Sequence, residues 1–189
     1  MSKVREIADN DWGSPVSYNG KHIYEYDLWM HMLERSLSED KKAVNKSYKD
    51  VSCSTDWLSM RAFINDVSKM VGYGIGWQLD KDLLSGGIKI YSKDTCCFLP
   101  SEVNCAITVR NKSNNLPNGV TYHKNKGKFQ AQCRMLDKRK YLGLFETPDE
   151  AFSVYKIAKE NHLKDLAEKW KGKIDNRAYD ALINYEVEK

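Results

Sequence analysis

Lys128-Phe129-Gln130-Ala131-Gln132-Cys133-Arg134-Met135 sorts its residues by parity. Phe129, Ala131, Cys133 and Met135 share one side, and Lys128, Gln130, Gln132 and Arg134 the other. Successive residues of a strand point to opposite faces, so this octapeptide predicts a strand with an apolar back and a polar, cationic front. Asn118-Gly-Val-Thr-Tyr-His-Lys124 before it and Lys138-Arg-Lys-Tyr-Leu-Gly-Leu-Phe145 after it read as its neighbours. Thr147-Pro148-Asp149-Glu150 then opens a helix as a capping box with proline at the first helical position. Ala151, Phe152, Val154, Tyr155 and Ala158 supply a face for the back of that sheet.

The front of the sheet has a chemistry of its own. Arg bonds guanine O6 and N7 in bidentate fashion, and Gln does the same to adenine N6 and N7. From Thr108 to Glu146 the basic residues are Arg110, Lys112, Lys124, Lys126, Lys128, Arg134, Lys138, Arg139 and Lys140, opposed only by Asp137 and Glu146. Lysines around a Gln/Arg row would neutralise phosphates and position the protein without reading sequence. A charge run alone is most simply a solvated face. A charge run coinciding with a one-sided Gln/Arg strand points to double-stranded DNA.

The same segment resembles the AP2-type DNA-binding domain of plant transcription factors and phage homing-endonuclease-like proteins. The resemblance rests on Gly119-Val120, Lys128-Phe129, Gln132-Cys133-Arg134, Arg139-Lys140-Tyr141-Leu142-Gly143, Phe145 and Thr147-Pro148-Asp149-Glu150-Ala151. It implies a three-stranded antiparallel sheet in the major groove, packed on one helix. It also implies base and phosphate contacts from Thr121, His123, Gln132, Arg134, Arg139 and Tyr141, to which the strand pattern adds Lys124, Lys126, Lys128 and Gln130. Thr121 and His123 stand where that family usually has arginine, and Tyr141 where it has tryptophan. The docking mode survives those changes; the plant target sequence does not.

Upstream, Tyr24, Leu28, Met32 and Leu33 predict a helix over 24–37, and Ser54 opens a second one carrying Trp57, Leu58, Phe63, Ile64 and Val67. Trp77–Asp82 and Ile88–Tyr91 read as two strands about a Ser85-Gly86-Gly87 turn, and Pro100 opens a short helix. Strand, strand, helix with an acidic residue on the first strand is the layout of a ββα-metal nuclease site.

Leu79-Asp80-Lys81, Tyr91-Ser92-Lys93-Asp94-Thr95-Cys96 and Asn104 resemble the HNH domain of phage homing endonucleases, and Cys53, Trp57 and Phe63 fit the pattern that precedes it. The resemblance implies catalytic positions at Asp80, Lys81, Thr95 and Asn104, with Mg²⁺ held by Asp80 and Asn104. Lys81 stands where the general-base His belongs, and Thr95 where the central Asn belongs. A lysine ordinarily titrates near 10.4, so poising one at neutral pH costs roughly 4.6 kcal/mol, and neighbouring carboxylates oppose that shift. A lysine there suits a fixed cation better than a base.

The chain therefore reads as α+β, with an HNH-like domain of altered active site over 1–107, a basic linker over 108–117 and an AP2-like domain over 118–189. The function expected is a sequence-specific DNA-binding regulator, repressor-like and derived from a homing endonuclease. A metal-dependent HNH endonuclease or nickase is the alternative, and a module whose basic sheet binds an acidic protein a third. The 189 residues include 41% hydrophobic and 30% charged residues with net charge +4, a balance suited to a globular chain. There is no apolar run of membrane-spanning length and no signal pattern. Five cysteines without Cys-x-x-Cys spacing indicate reduced, mostly buried thiols, although Cys53, Cys96 and Cys97 are also compatible with zinc. The cytoplasm, that of a bacterial host if the chain is phage-encoded, is the expected location. Gly72-Tyr-Gly-Ile-Gly76 reads as a connector and His22, His31 and His162 as packing or surface residues.

Overall fold

The computed structural model of the protein describes residues 4–108, 116–135 and 138–189. They form an α+β structure of two compact units, Met1–Phe98 and Leu99–Lys189. Most of the expected linker, with Arg110 and Lys112, lies outside the described residues, as does Asp137.

The first unit begins with a helical turn, Val4–Ile7 (α1), and a small hairpin of Ser17–Tyr18 (β1) and Lys21–His22 (β2). Tyr24–Leu37 (α2) covers the span its periodicity predicts, but the buried stripe is Tyr26, Trp29, Met32, Leu33 and Ser36, while Tyr24 stays exposed. Trp29 sets the orientation: its Nε1 donates to the Trp57 carbonyl at 2.9 Å, so the indole is buried with its one donor satisfied. Glu39–Val44 (α3) follows, capped by Ser38.

The helix expected from Ser54 is two elements. Thr55–Leu58 is a 3₁₀ turn, and Ser59 restarts the chain as N-cap of Met60–Val67 (α4), accepting from the Ala62 N–H. That cap is a stronger start signal than Ser54, whose side chain makes no cap bond. Asp11 reinforces the break through its bonds from Ser59 Oγ and Arg61 N–H. Trp57, Met60, Phe63 and Val67 join Met32, Leu33 and Phe98 in one apolar core.

The strand pairing differs from the hairpin expected. Gln78–Asp80 (β4) pairs with Cys97–Leu99 (β6), whereas Ile90–Tyr91 (β5) runs parallel to Ser52–Cys53 (β3). The turn at Gly86-Gly87 therefore does not join two paired strands. β6 is buried along its whole length, and its continuous apolar run lacks the alternation that marks a half-exposed strand.

In the second unit, Ser101–Ile107 (α5) has Pro100 as its N-cap. Val120–His123 (β7), Lys128–Met135 (β8) and Lys138–Phe145 (β9) form an antiparallel sheet in the order β7-β8-β9. Pro148–Trp170 (α6) begins at the complete capping box of Thr147 and Glu150. Its buried positions Ala151, Phe152, His162, Leu163, Leu166 and Ala167 recur at helical spacing. Val120, Ala131, Ala151 and Phe152 form the sheet–helix core, joined by Val187 from the C-terminal tail. α5 packs on α6, where Glu102 accepts from Lys169 Nζ and Trp170 Nε1. Asn176–Ile183 (α7) is capped by Asp175, whose side chain accepts from the Arg177 N–H.

Candidate nucleic-acid interface

The register fixes which side chains share the front of the sheet. Thr121 faces Gln130, His123 faces Lys128, Gln132 faces Tyr141 and Arg134 faces Arg139. Directly opposed residues of an antiparallel pair lie on one face, so these cross-strand partners form a continuous layer. Ala131 and Cys133 between them are buried on the other face. The strand pattern and the observed faces agree residue for residue along β8.

One irregularity shapes this layer. Between Ala131 and Gln132 the register of β8 against β9 shifts: Ala131 faces Gly143, whereas Gln132 faces Tyr141, which leaves Leu142 as the extra residue. A bulge of this kind bends the strand and increases its right-handed twist. The Gln132 N–H is also held by the Gly119 carbonyl at 2.9 Å. Past the bulge Leu144 comes opposite Gln130 and enters the front layer. Tyr141, 59% exposed, stands beside Gln132.

Cations rim the layer. Lys124 and Lys126 sit in a 3₁₀ turn closed by Gly127 at φ 64°, a left-handed conformation that favours glycine. Lys128 is tied to Glu146 at 2.6 Å, and that hydrogen bond raises its pKa. His123 presents a buried Nδ1 without a hydrogen-bond partner, on the edge strand beside Lys128. All ten side chains expected at a DNA contact thus lie on this sheet or on its β7–β8 turn. Sequence reading missed the place of Leu144, because a two-residue period without a bulge puts it on the back, and the pairing of Glu146 with Lys128.

The residues expected at a nuclease site fall in both units. Asp80 and Lys81 are in the first, only 8% and 6% exposed, with Thr95; Asn104 is on α5 in the second. Asp80 Oδ1 accepts the backbone N–H groups of Asp82 and Leu83 at 3.1 and 2.9 Å. Burial raises the Asp80 pKa, partly offset by those bonds. Lys81 Nζ donates to Asp82 Oδ1 and lies 5.6 Å from the centre of the Tyr91 ring. Arg35 donates to the Tyr91 hydroxyl at 3.4 Å, and burial pushes that phenol up to about 12. Thr95 Oγ1 donates to the Ile90 carbonyl at 2.6 Å and pairs with Ser92 Oγ.

This arrangement is a turn that satisfies its own polar groups. A divalent cation of the magnesium type needs several oxygen ligands. Here Asp80 Oδ1 is engaged by the backbone, and the Lys81 ammonium supplies the local positive charge with which such an ion would compete. Within the first unit Asp80 is the one expected Mg²⁺ ligand, and its carboxylate is already held by the turn. Among the described residues, no three or more His, Cys, Asp or Glu side chains are grouped to hold a metal. All five cysteines are free thiols; Cys96, Cys97 and Cys133 are buried, and burial pushes Cys96 up to about 12.

Among the described residues, no helix is long and apolar enough to cross a membrane. No family model, no curated protein and no solved structure matches this chain.

Proposed function

We propose that this protein is a sequence-specific double-stranded DNA-binding regulator that reads the major groove with the front of the β7–β9 sheet. The observation carrying this reading is the one-sided layer of Gln130, Gln132, Arg134, Arg139 and Tyr141, backed by an apolar core. It combines base-reading donors and acceptors with phosphate-neutralising lysines on one rigid element. The likeness of its motifs to AP2-type and HNH proteins suggests descent from a phage homing endonuclease that kept its recognition module.

A metal-dependent endonuclease or nickase is the alternative. In its favour is the chain order β4, β6, α5, with Asp80 closing β4 and Asn104 on α5. Against it stand Lys81 in the general-base position and the internal partners of Asp80, Lys81 and Thr95.

The test is a titration of labelled duplex DNA across a salt series, with one arm containing Mg²⁺ or Mn²⁺ and one a chelator. Binding should weaken linearly in log–log form with salt, and Lys126→Ala should reduce the slope by about 1, with a similar loss on every sequence. A salt-independent affinity would remove the sheet as a DNA surface. Metal-dependent strand breaks that disappear in Asp80→Ala would establish the nuclease alternative instead.

A further inference from the structure

Resting on that reading, we infer that the target has a fixed polarity: A·T pairs under the Gln130–Gln132 end of β8 and G·C under the Arg134–Arg139 end. The argument is one of donors and acceptors in register. A glutamine amide carries both donor and acceptor, the complement of adenine, which shows N6–H₂ and N7 in the major groove. A guanidinium carries donors only, the complement of guanine, which shows two acceptors, O6 and N7. Along β8 the order on the front face is Gln130, Gln132, Arg134.

The cross-strand partners reinforce each assignment. Gln130 lies in register between Thr121 on β7 and Leu144 on β9, and both of these side chains carry methyl groups. The partner of adenine is thymine, whose C5-methyl accepts such apolar contact. Gln132 has the exposed ring of Tyr141 beside it. Arg134 faces Arg139, so the last position is donor-only on both strands. The bulge supplies the apolar neighbour of Gln130, because without it Leu144 would leave the front layer.

Spacing sets the length of the element. Alternate residues on one strand face are about 6.7 Å apart, close to two base-pair steps of about 3.4 Å each. Gln130, Gln132 and Arg134 therefore sample a window of about four to five base pairs, with the A·T and G·C ends about four steps apart.

The experiment is selection from a randomised duplex library by the intact protein, followed by titration of the enriched site and its single-base variants. The expected motif carries A·T at two positions about two steps apart and G·C about two steps beyond. Gln132→Ala should relax the central position alone, and Arg134→Ala the G·C end alone, each reducing discrimination about five- to 150-fold. Gln132→Glu supplies an independent check, since a carboxylate accepts from cytosine N4 and should move the central preference from A to C. An enriched motif lacking this polarity, or Gln132→Glu leaving it unchanged, overturns the inference while DNA binding stands. Salt-dependent binding with no motif also overturns it and leaves non-specific binding. No binding to any duplex defeats the DNA-binding reading itself.

Discussion

The front of the β7–β9 sheet and the turn after β4 are both rich in charge, and they use it in opposite ways. At the turn, Asp80, Lys81 and Thr95 find their partners in the same chain, from backbone N–H groups, the Asp82 carboxylate and the Ile90 carbonyl. On the sheet, Gln, Arg and Tyr side chains share a face whose reverse is apolar, and the Tyr141 ring is largely in solvent. A polar group buried with its bonds made holds a conformation; on the proposed reading, the polar layer of the rigid sheet meets DNA instead.

Two glycines separate the sheet from the first unit most sharply. Gly119 has φ +78°, and a Cβ there would lie 2.0–2.5 Å from the Tyr155 ring; Gly72 has φ +91°, and a Cβ would lie 2.2 Å from Trp77. Each combines a left-handed backbone with a ring that an added Cβ would overlap, so alanine at either site should cost more than about 2 kcal/mol. Gly119→Ala should also cost DNA affinity, because the Gly119 carbonyl holds the Gln132 N–H at the bulge. Gly72→Ala should leave the affinity of the folded protein within about twofold, a difference inside ordinary surface effects. Thermal melts and duplex titrations on both variants decide the matter. Equal loss of binding would place recognition outside the sheet face.

Legibility in the sequence depended on local signals. The capping box at Thr147 and the two-residue alternation of β8 are written in short runs of sequence, and both appear as read. The span of α2 was legible too, although its buried stripe was not, because Trp29 is oriented by a bond to Trp57 far along the chain. The partners of β4 and β5 were illegible for a related reason. Gly86-Gly87 looks like a hairpin turn, but which strand pairs with which is decided by non-local packing of Cys97–Leu99 and Ser52–Cys53. At the candidate interface, the front-face residues of β8 followed from parity, whereas the place of Leu144, which the bulge moves, did not. The inward role of Lys81 was hidden because its partners include Tyr91.

A smaller effect separates structure from chemistry at Asp80. Asp80→Ala removes the acceptor of two backbone N–H groups and should destabilise the protein by about 1–3 kcal/mol in denaturant titrations. Asp80→Asn keeps an oxygen for the same two donors and removes the buried charge. It should hold stability at or above that of the parent at neutral pH, with DNA affinity unchanged in both variants once unfolded protein is discounted. Asparagine as damaging as alanine would show that the carboxylate charge itself matters at this turn, as a cation-binding site requires.

The smallest effect is the pH dependence of that same pair. Burial holds the Asp80 pKa above its ordinary value, so the folded state takes up a proton before the unfolded chain does. The contribution of Asp80 to stability is therefore fully present below the unfolded pKa of about 3.9 and is lost as pH rises through the folded value. Asp11, Glu102 and Asp175 have the opposite sign, held low chiefly by hydrogen bonds from Arg61, Lys169 and Arg177, so each loses its contribution as pH falls. Those three groups are common to the parent and to Asp80→Asn, and their effects cancel when the two are compared. Any advantage of Asp80→Asn at neutral pH should accordingly shrink as the buffer is taken toward pH 4, with the parent gaining on the variant. Paired thermal melts at several pH values measure it. A gap that widens on acidification would mean that Asp80 is stabilised as a carboxylate, and the turn would then have to be regarded as a charged site in the manner of the sheet.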